Sequence, residues 1–178
     1  RPYFSSKEIL FLKEEFGKIL DSGVLAFGPN IEKFEKDFAD YIGVKNAIAV
    51  STGTSALEVV LRYYNVKDKE VLVPTNSFPA SANSVIFAGG IPKLIDINEE
   101  TLCTDLSTIK SNITDKTLGV MLVHVAGMML PDLKEIASFC KDNGLFLIED
   151  SANAHGSLLD NQKAGSFGDA GCFSFYAT

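Results

Sequence analysis

Residues 145–148 (LFLI) are apolar and run straight into Glu149-Asp150-Ser151-Ala152-Asn153-Ala154-His155-Gly156. An apolar strand that ends in a carboxylate delivers it to the crevice where open α/β sheets bind ligands. A cationic partner there would hold Asp150 ionised by charge pairing; the alternative is a solvated loop acid or a helix cap. Ser51-Thr52-Gly53-Thr54-Ser55 follows another apolar run, residues 47–50. Gly53 permits a tight turn, and Thr54 and Ser55 set hydroxyls beside the free N–H groups of a helix start, which suits a phosphate. Ordinary capping uses the same residues. G-x-G-x-x-G is absent, so this is not the dinucleotide fingerprint. Phe78, in Pro74-Thr75-Asn76-Ser77-Phe78, either presents a ring at a strand end or fills the core of a chain with 13 Phe. Ser174, in Phe173-Ser174-Phe175-Tyr176, is a serine at a further strand end. His124 and His155 could act as general bases, but nothing near them in sequence orients either ring. No Ser–His–Asp set follows from order alone.

Alternating short elements must position these groups. Ser5 and Glu8 form a capping box ahead of Ile9, Leu12, Phe16, Ile19 and Leu20 at helical spacing, closed by Gly23. Asn30 is the expected cap of a second helix with Ile31, Phe34, Phe38, Tyr41 and Ile42 on one face and Gly43 beyond it. From Ala47 the rhythm changes to apolar runs at residues 47–50, 71–73, 93–97, 120–123, 145–148 and 171–175. Helical segments separate them: 56–64, a stretch up to about Ala88, a short one after Asp105, and 131–143. Continuous apolar strands alternating with helices imply an α/β fold, a mostly parallel sheet covered by helices on both faces. Residues 1–46 read as an N-terminal helical arm and residues 47–178 as the α/β layer.

Composition narrows the function. The 178 residues carry 16 Lys and Arg against 23 Asp and Glu, a net charge of −7 with no basic run. A nucleic-acid partner, which needs a basic face, is not expected, whereas one small anion can still bind locally. No apolar stretch is long enough to span a membrane, and the first residues given lack the basic-then-apolar pattern expected of a signal peptide. Three scattered Cys without C-x-x-C fit buried thiols in a reducing compartment, and the ligands for a metal site are not clustered.

In chain order these strings resemble the DegT/DnrJ/EryC1/StrS family of pyridoxal-phosphate-dependent sugar aminotransferases, of the aspartate-aminotransferase fold (fold type I). Leu25-Ala26-Phe27-Gly28-Pro29 looks like the family's G-x-L-x-x-G-P segment, and residues 51–57 (STGTSAL) like its S-x-G-T-x-A-L phosphate turn. Residues 73–78 (VPTNSF) look like V-P-x-x-T-[FW], with Ser77 where Thr is usual. Glu149-Asp150 with the residues up to Gly156, and residues 165–176 (GSFGDAGCFSFY), complete the likeness.

The resemblance implies that Gly53, Thr54 and Ser55 hold the phosphate of pyridoxal 5′-phosphate, that Ser174 also contacts it, and that Phe78 stacks on the pyridine ring. Asp150 would pair with the protonated ring nitrogen. Asn153 falls where the family often has Gln against the ring hydroxyl, one methylene longer. The implied fold is an incomplete large domain of fold type I. The family's Schiff-base lysine follows the F-S-F-[YH]-x-x string directly, which is the position after Thr178, so no catalytic residue is expected within the chain. The chain opens at Arg1 without Met, and is expected to be the N-terminal part of a longer protein or to be interrupted by a modified lysine. Exposed apolar surface would follow if the remainder were missing. The implied activity moves an amino group from an amino acid, glutamate in expectation, to a nucleotide-linked keto sugar, for surface polysaccharide or natural-product biosynthesis. A cytoplasmic homodimer with the active site at its interface is the family's form. A histidine in the lysine position would instead imply a sugar dehydratase using the same cofactor. The same fold could also carry a non-catalytic regulatory protein; joint retention of Asp150, the phosphate turn and Ser174 argues against that.

Overall fold

A computed structural model describes residues 3–176. The described residues divide into two compact units, one of residues 3–49 with 176 and one of residues 50–175.

The first unit holds two helices. Helix α1 (Ser6–Ser22) starts at the Ser5–Glu8 capping box and ends at Gly23, which adopts the left-handed φ of 68°. Ser5 N–H donates to Glu8 Oε2 at 2.7 Å, and Glu8 N–H donates back to Ser5 Oγ at 3.3 Å. This satisfies two of the donors a helix start leaves unpaired. None of α1 is buried, and Ile9, Leu12, Phe16 and Leu20 of its apolar face are exposed. Helix α2 (Pro29–Ile42) is capped by Gly28 rather than by Asn30. Pro29 takes the first helical position, where its fixed φ suits the helix and its missing N–H costs nothing. Residues 47–50, expected as the first strand, form no strand, and Ile48 is exposed. A strand exists only through ladder partners, and this segment has none among the described residues.

In the second unit, α3 (Gly53–Tyr63), β1 (Glu70–Pro74), α4 (Pro79–Phe87), β2 (Ile91–Ile95), α5 (Leu106–Asn112), β3 (Thr117–Val123), α6 (Leu133–Asp142) and β4 (Phe146–Asp150) alternate. A two-stranded antiparallel hairpin, β5 (Leu158–Leu159) and β6 (Gln162–Lys163), comes before β7 (Ala170–Cys172). Its turn places Asp160 and Asn161 at φ of 50° and 62°, as a type I′ hairpin requires. The five longer-range strands pair in parallel in the order β2-β1-β3-β4-β7. The chain steps outward from β1 to β2, then returns to the other side of β1 for β3. That reversal is the topological switch beside which such sheets bind ligands, beyond the carboxyl ends of the strands.

Strand period two splits the apolar runs between both faces. Val71, Val73, Met121, Phe146 and Ile148 pack with Leu57 and Leu61 of α3 and Val85 of α4. Leu72, Val120, Leu122 and Leu147 pack on the other face with Ile109 of α5 and Leu133, Ile136 and Cys140 of α6. Each such side chain fully removed from water stabilises the fold by about 1.5–3 kcal/mol, so the two layers fix the sheet and its rim. Register then aligns Val123, Asp150 and Cys172 as the last residues of three neighbouring strands.

Candidate functional site

Asp150 ends β4 between Val123 and Cys172 and is only 7% exposed. It lies on the Ile148 face, the side covered by α3 and α4. From α4, Ser81 Oγ donates to Asp150 Oδ2 at 2.8 Å, and the Ala152 N–H donates to Oδ1 at 3.2 Å. Burial pushes the Asp150 carboxyl above its ordinary range; the two donors and the nearby His124 pull it part of the way back. Each carboxylate oxygen accepts two hydrogen bonds, so one direction on each oxygen remains for a ligand.

The Ser/Thr turn of residues 51–55 lies at the start of α3. Thr52 is its cap and its Oγ1 accepts the Ser55 N–H at 3.0 Å, while the first ladder bond runs from Ala56 N–H to Thr52 O. Gly53 and Thr54 therefore carry the free N–H groups of the helix start, and Ser55 brings its hydroxyl. The expected tight turn is not what requires glycine at 53, because its φ is not left-handed. Close approach is the reason: a Cβ there would lie 3.0 Å from Ser174 Cβ and 3.3 Å from Phe173 O. The fold thus joins Gly53 and Ser174 from opposite ends of the unit.

Phe78 is the residue before α4 and is 77% exposed, so it is a presented ring and not a core residue. Asn153 is exposed in the turn that follows β4. His155 has its ring 5.3 Å from that of Phe173 and 4.9 Å from that of Phe175, and its partial burial lowers its pKa. It is an exposed loop histidine whose ring lies against two phenylalanines.

Three contributors were not singled out from sequence: Ser81, Thr52 and Glu149. Glu149 points to the opposite face from Asp150 and is wholly buried. Its Oε1 accepts the Phe167 and Gly168 N–H groups at 2.7 and 2.8 Å, and its Oε2 accepts the Gly165 N–H at 2.9 Å. His124 Nε2 is 2.8 Å from the same Oε2. Since a carboxylate only accepts, Nε2 carries the proton. Strand alternation is the signal that could have separated the two acids: of neighbours on a strand, only one faces the α3/α4 side. No group of His, Cys, Asp and Glu among the described residues could hold a metal ion, and no described helix is long and apolar enough to cross a membrane.

Comparison with known proteins bears on the family and the fold of the whole chain. The chain is 38% identical over 159 residues to the GDP-perosamine synthase of Vibrio cholerae, covering 88% of this chain and 43% of that protein. An aminotransferase from Psychrobacter cryohalolentis superposes with a TM-score of 0.89 at 33% identity, over 98% of this chain and 44% of that one. A putative sugar aminotransferase from Streptococcus pneumoniae, solved in its PMP-form, gives a TM-score of 0.88 at 29% identity, over 99% and 47%. The chain therefore spans less than half the length of these relatives. The family model for DegT/DnrJ/EryC1/StrS aminotransferases matches residues 8–178. The chain belongs to the DegT/DnrJ/EryC1/StrS aminotransferase family.

Proposed function

We propose that this chain supplies the cofactor-binding half of a pyridoxal 5′-phosphate-dependent sugar aminotransferase. The enzyme would move an amino group from an amino acid, glutamate in our reading, to the keto group of a nucleotide-linked sugar. The observation that carries the proposal is Asp150: a buried carboxyl with an acceptor direction spare on each oxygen, which hydrogen bonds from Ser81 and Ala152 leave without an ion-pair partner in direct contact among the described residues. A ring N–H⁺ placed there would supply the missing charge and reverse the rise in pKa that burial causes. The donor set fits the rest of the group. Free N–H groups at Gly53 and Thr54, with the Ser55 and Ser174 hydroxyls, suit a phosphate dianion at a helix start. An exposed Phe78 offers a face for an aromatic ring.

When bound, the cofactor supplies an electron sink for the carbon that loses its proton. Asp150 keeps the ring nitrogen protonated, and Ser81 holds the carboxylate in place. The α3 start and Ser174 fix the phosphate, so the ring cannot slide along the rim. Asn153 lies near enough in sequence to reach the ring hydroxyl, with one methylene less than glutamine. The nucleophile and most sugar contacts would come from residues beyond position 178 and from a second copy. The exposed apolar face of α1 supports such a homodimer. The products would feed surface polysaccharide or natural-product pathways in the cytoplasm, where three free, buried thiols are stable.

The test is a titration of the full-length protein with pyridoxal 5′-phosphate. Saturable uptake that Asp150→Asn weakens by about tenfold or more supports the proposal. Equal affinity of the two proteins refutes the role of Asp150.

A further inference from the structure

Glu149 sits beside Asp150 yet faces away from the rim, and it takes four donors. Three are main-chain N–H groups of the loop 165–168, those of Gly165, Phe167 and Gly168, and the fourth is His124 Nε2. His124 is also tied to the strand end, since its main-chain N–H donates to Asp150 O at 3.1 Å.

This loop leads into β7, a strand of three residues held to β4 by three register pairs. So short an edge strand fixes little by itself. The loop is fitted without slack around the Glu149 anchor. A Cβ on Gly168 would lie 2.5 Å from Leu147 O, and one on Gly171 would lie 2.4 Å from Gly165 Cα. Asp169 adds a second tie, exchanging main-chain and side-chain bonds with Leu147 at 2.8 Å each. Three residues after Gly171 comes Ser174, against the Gly53 helix start.

We propose that Glu149, oriented by His124, is a positioning residue that sets the distance between the two halves of the cofactor site. It ties the loop 165–168, and through β7 Ser174, to the strand end that carries Asp150. The two consecutive acids then divide the work. Asp150 meets the ring nitrogen, and Glu149 sets where the phosphate-binding serine stands relative to it. The inference rests on the cofactor site proposed above.

A double-mutant cycle in the full-length protein tests it, with pyridoxal 5′-phosphate affinity as the readout. Ser174→Ala should weaken affinity by about tenfold in the unmutated background, the value of one hydrogen bond to a charged group. In the Glu149→Gln background, where the amide turns its N–H₂ toward two donors, the same change should cost less than about twofold. An equal factor in both backgrounds overturns the inference, because a merely structural Glu149 leaves Ser174 uncoupled. Should Glu149→Gln fail to fold, hydrogen exchange on the unmutated protein decides. Loading should slow the Phe167 and Gly168 amides, which do not touch the cofactor, by about tenfold; unchanged rates overturn the inference. If the unmutated protein takes up no cofactor, the site itself is refuted and the inference falls with it.

Discussion

Ser81 Oγ on α4 donates a 2.8 Å hydrogen bond to Asp150 Oδ2 at the end of β4, across 69 residues of sequence. Both groups are buried, so the bond fixes the plane of the carboxylate on the face covered by α3 and α4.

Removing that donor should move Asp150 in two ways. Ser81→Ala in the full-length protein should weaken pyridoxal 5′-phosphate binding by about tenfold. It should also raise the Asp150 pKa further, since the Ser81 bond lowers it. Cofactor titrations across pH check both effects, and unchanged affinity and pH dependence would contradict them.

Asp150 itself should cost stability when no cofactor is bound. Its folded pKa lies above the ordinary value because of burial, so the folded state binds more protons than the unfolded one. The stability it contributes is full below the ordinary carboxylate value and is lost as pH rises through the raised one. Asp150→Asn keeps the acceptor for Ser81 and cannot ionise. The cofactor-free variant should match the parent at acid pH and exceed it by about 1 kcal/mol at neutral pH. Thermal unfolding of both proteins at several pH values measures the difference.

Gly53→Ala should separate binding from stability. The new Cβ meets Ser174 Cβ at 3.0 Å, while alanine gains up to about 1 kcal/mol in helix propensity. Unfolding free energy should change by less than about 1 kcal/mol, and cofactor affinity should fall by about tenfold as Ser174 is pushed off the helix start.

The thiols should be inert in the folded protein. Burial raises all three: Cys140 is pushed up to about 12, as is Cys172, where the Asp150 charge adds to the rise, and Cys103 shifts the same way. The thiolate is the reactive form. Iodoacetamide at pH 8 should label none of Cys103, Cys140 and Cys172 natively and all three after denaturation, read by mass spectrometry. Rapid native labelling of Cys172 would contradict the buried rim.

Much of this rim was legible in the sequence because strand ends carry it. Residues 145–148 lead into Asp150, and the Ser/Thr turn at 51–55 leads into α3, as local pattern and capping chemistry dictate. The strand at 47–50 was not borne out, because apolar character specifies burial and a ladder needs a partner. The short hairpin at β5 and β6 went unread, although Asp160-Asn161 is turn chemistry. Ser81 and Glu149 act through partners 69 and 16 or more residues away. Only the three-dimensional register of β4 against α4 and the loop 165–168 reveals them.

The amino-transfer half-reaction tests the central claim most directly. Full-length protein loaded with pyridoxal 5′-phosphate is mixed with glutamate while the near-visible cofactor band and 2-oxoglutarate are followed. The band should be lost as one equivalent of 2-oxoglutarate appears, and adding a nucleotide-linked keto sugar should restore it. A loaded protein whose band is unchanged by glutamate and every other amino donor would contradict the account.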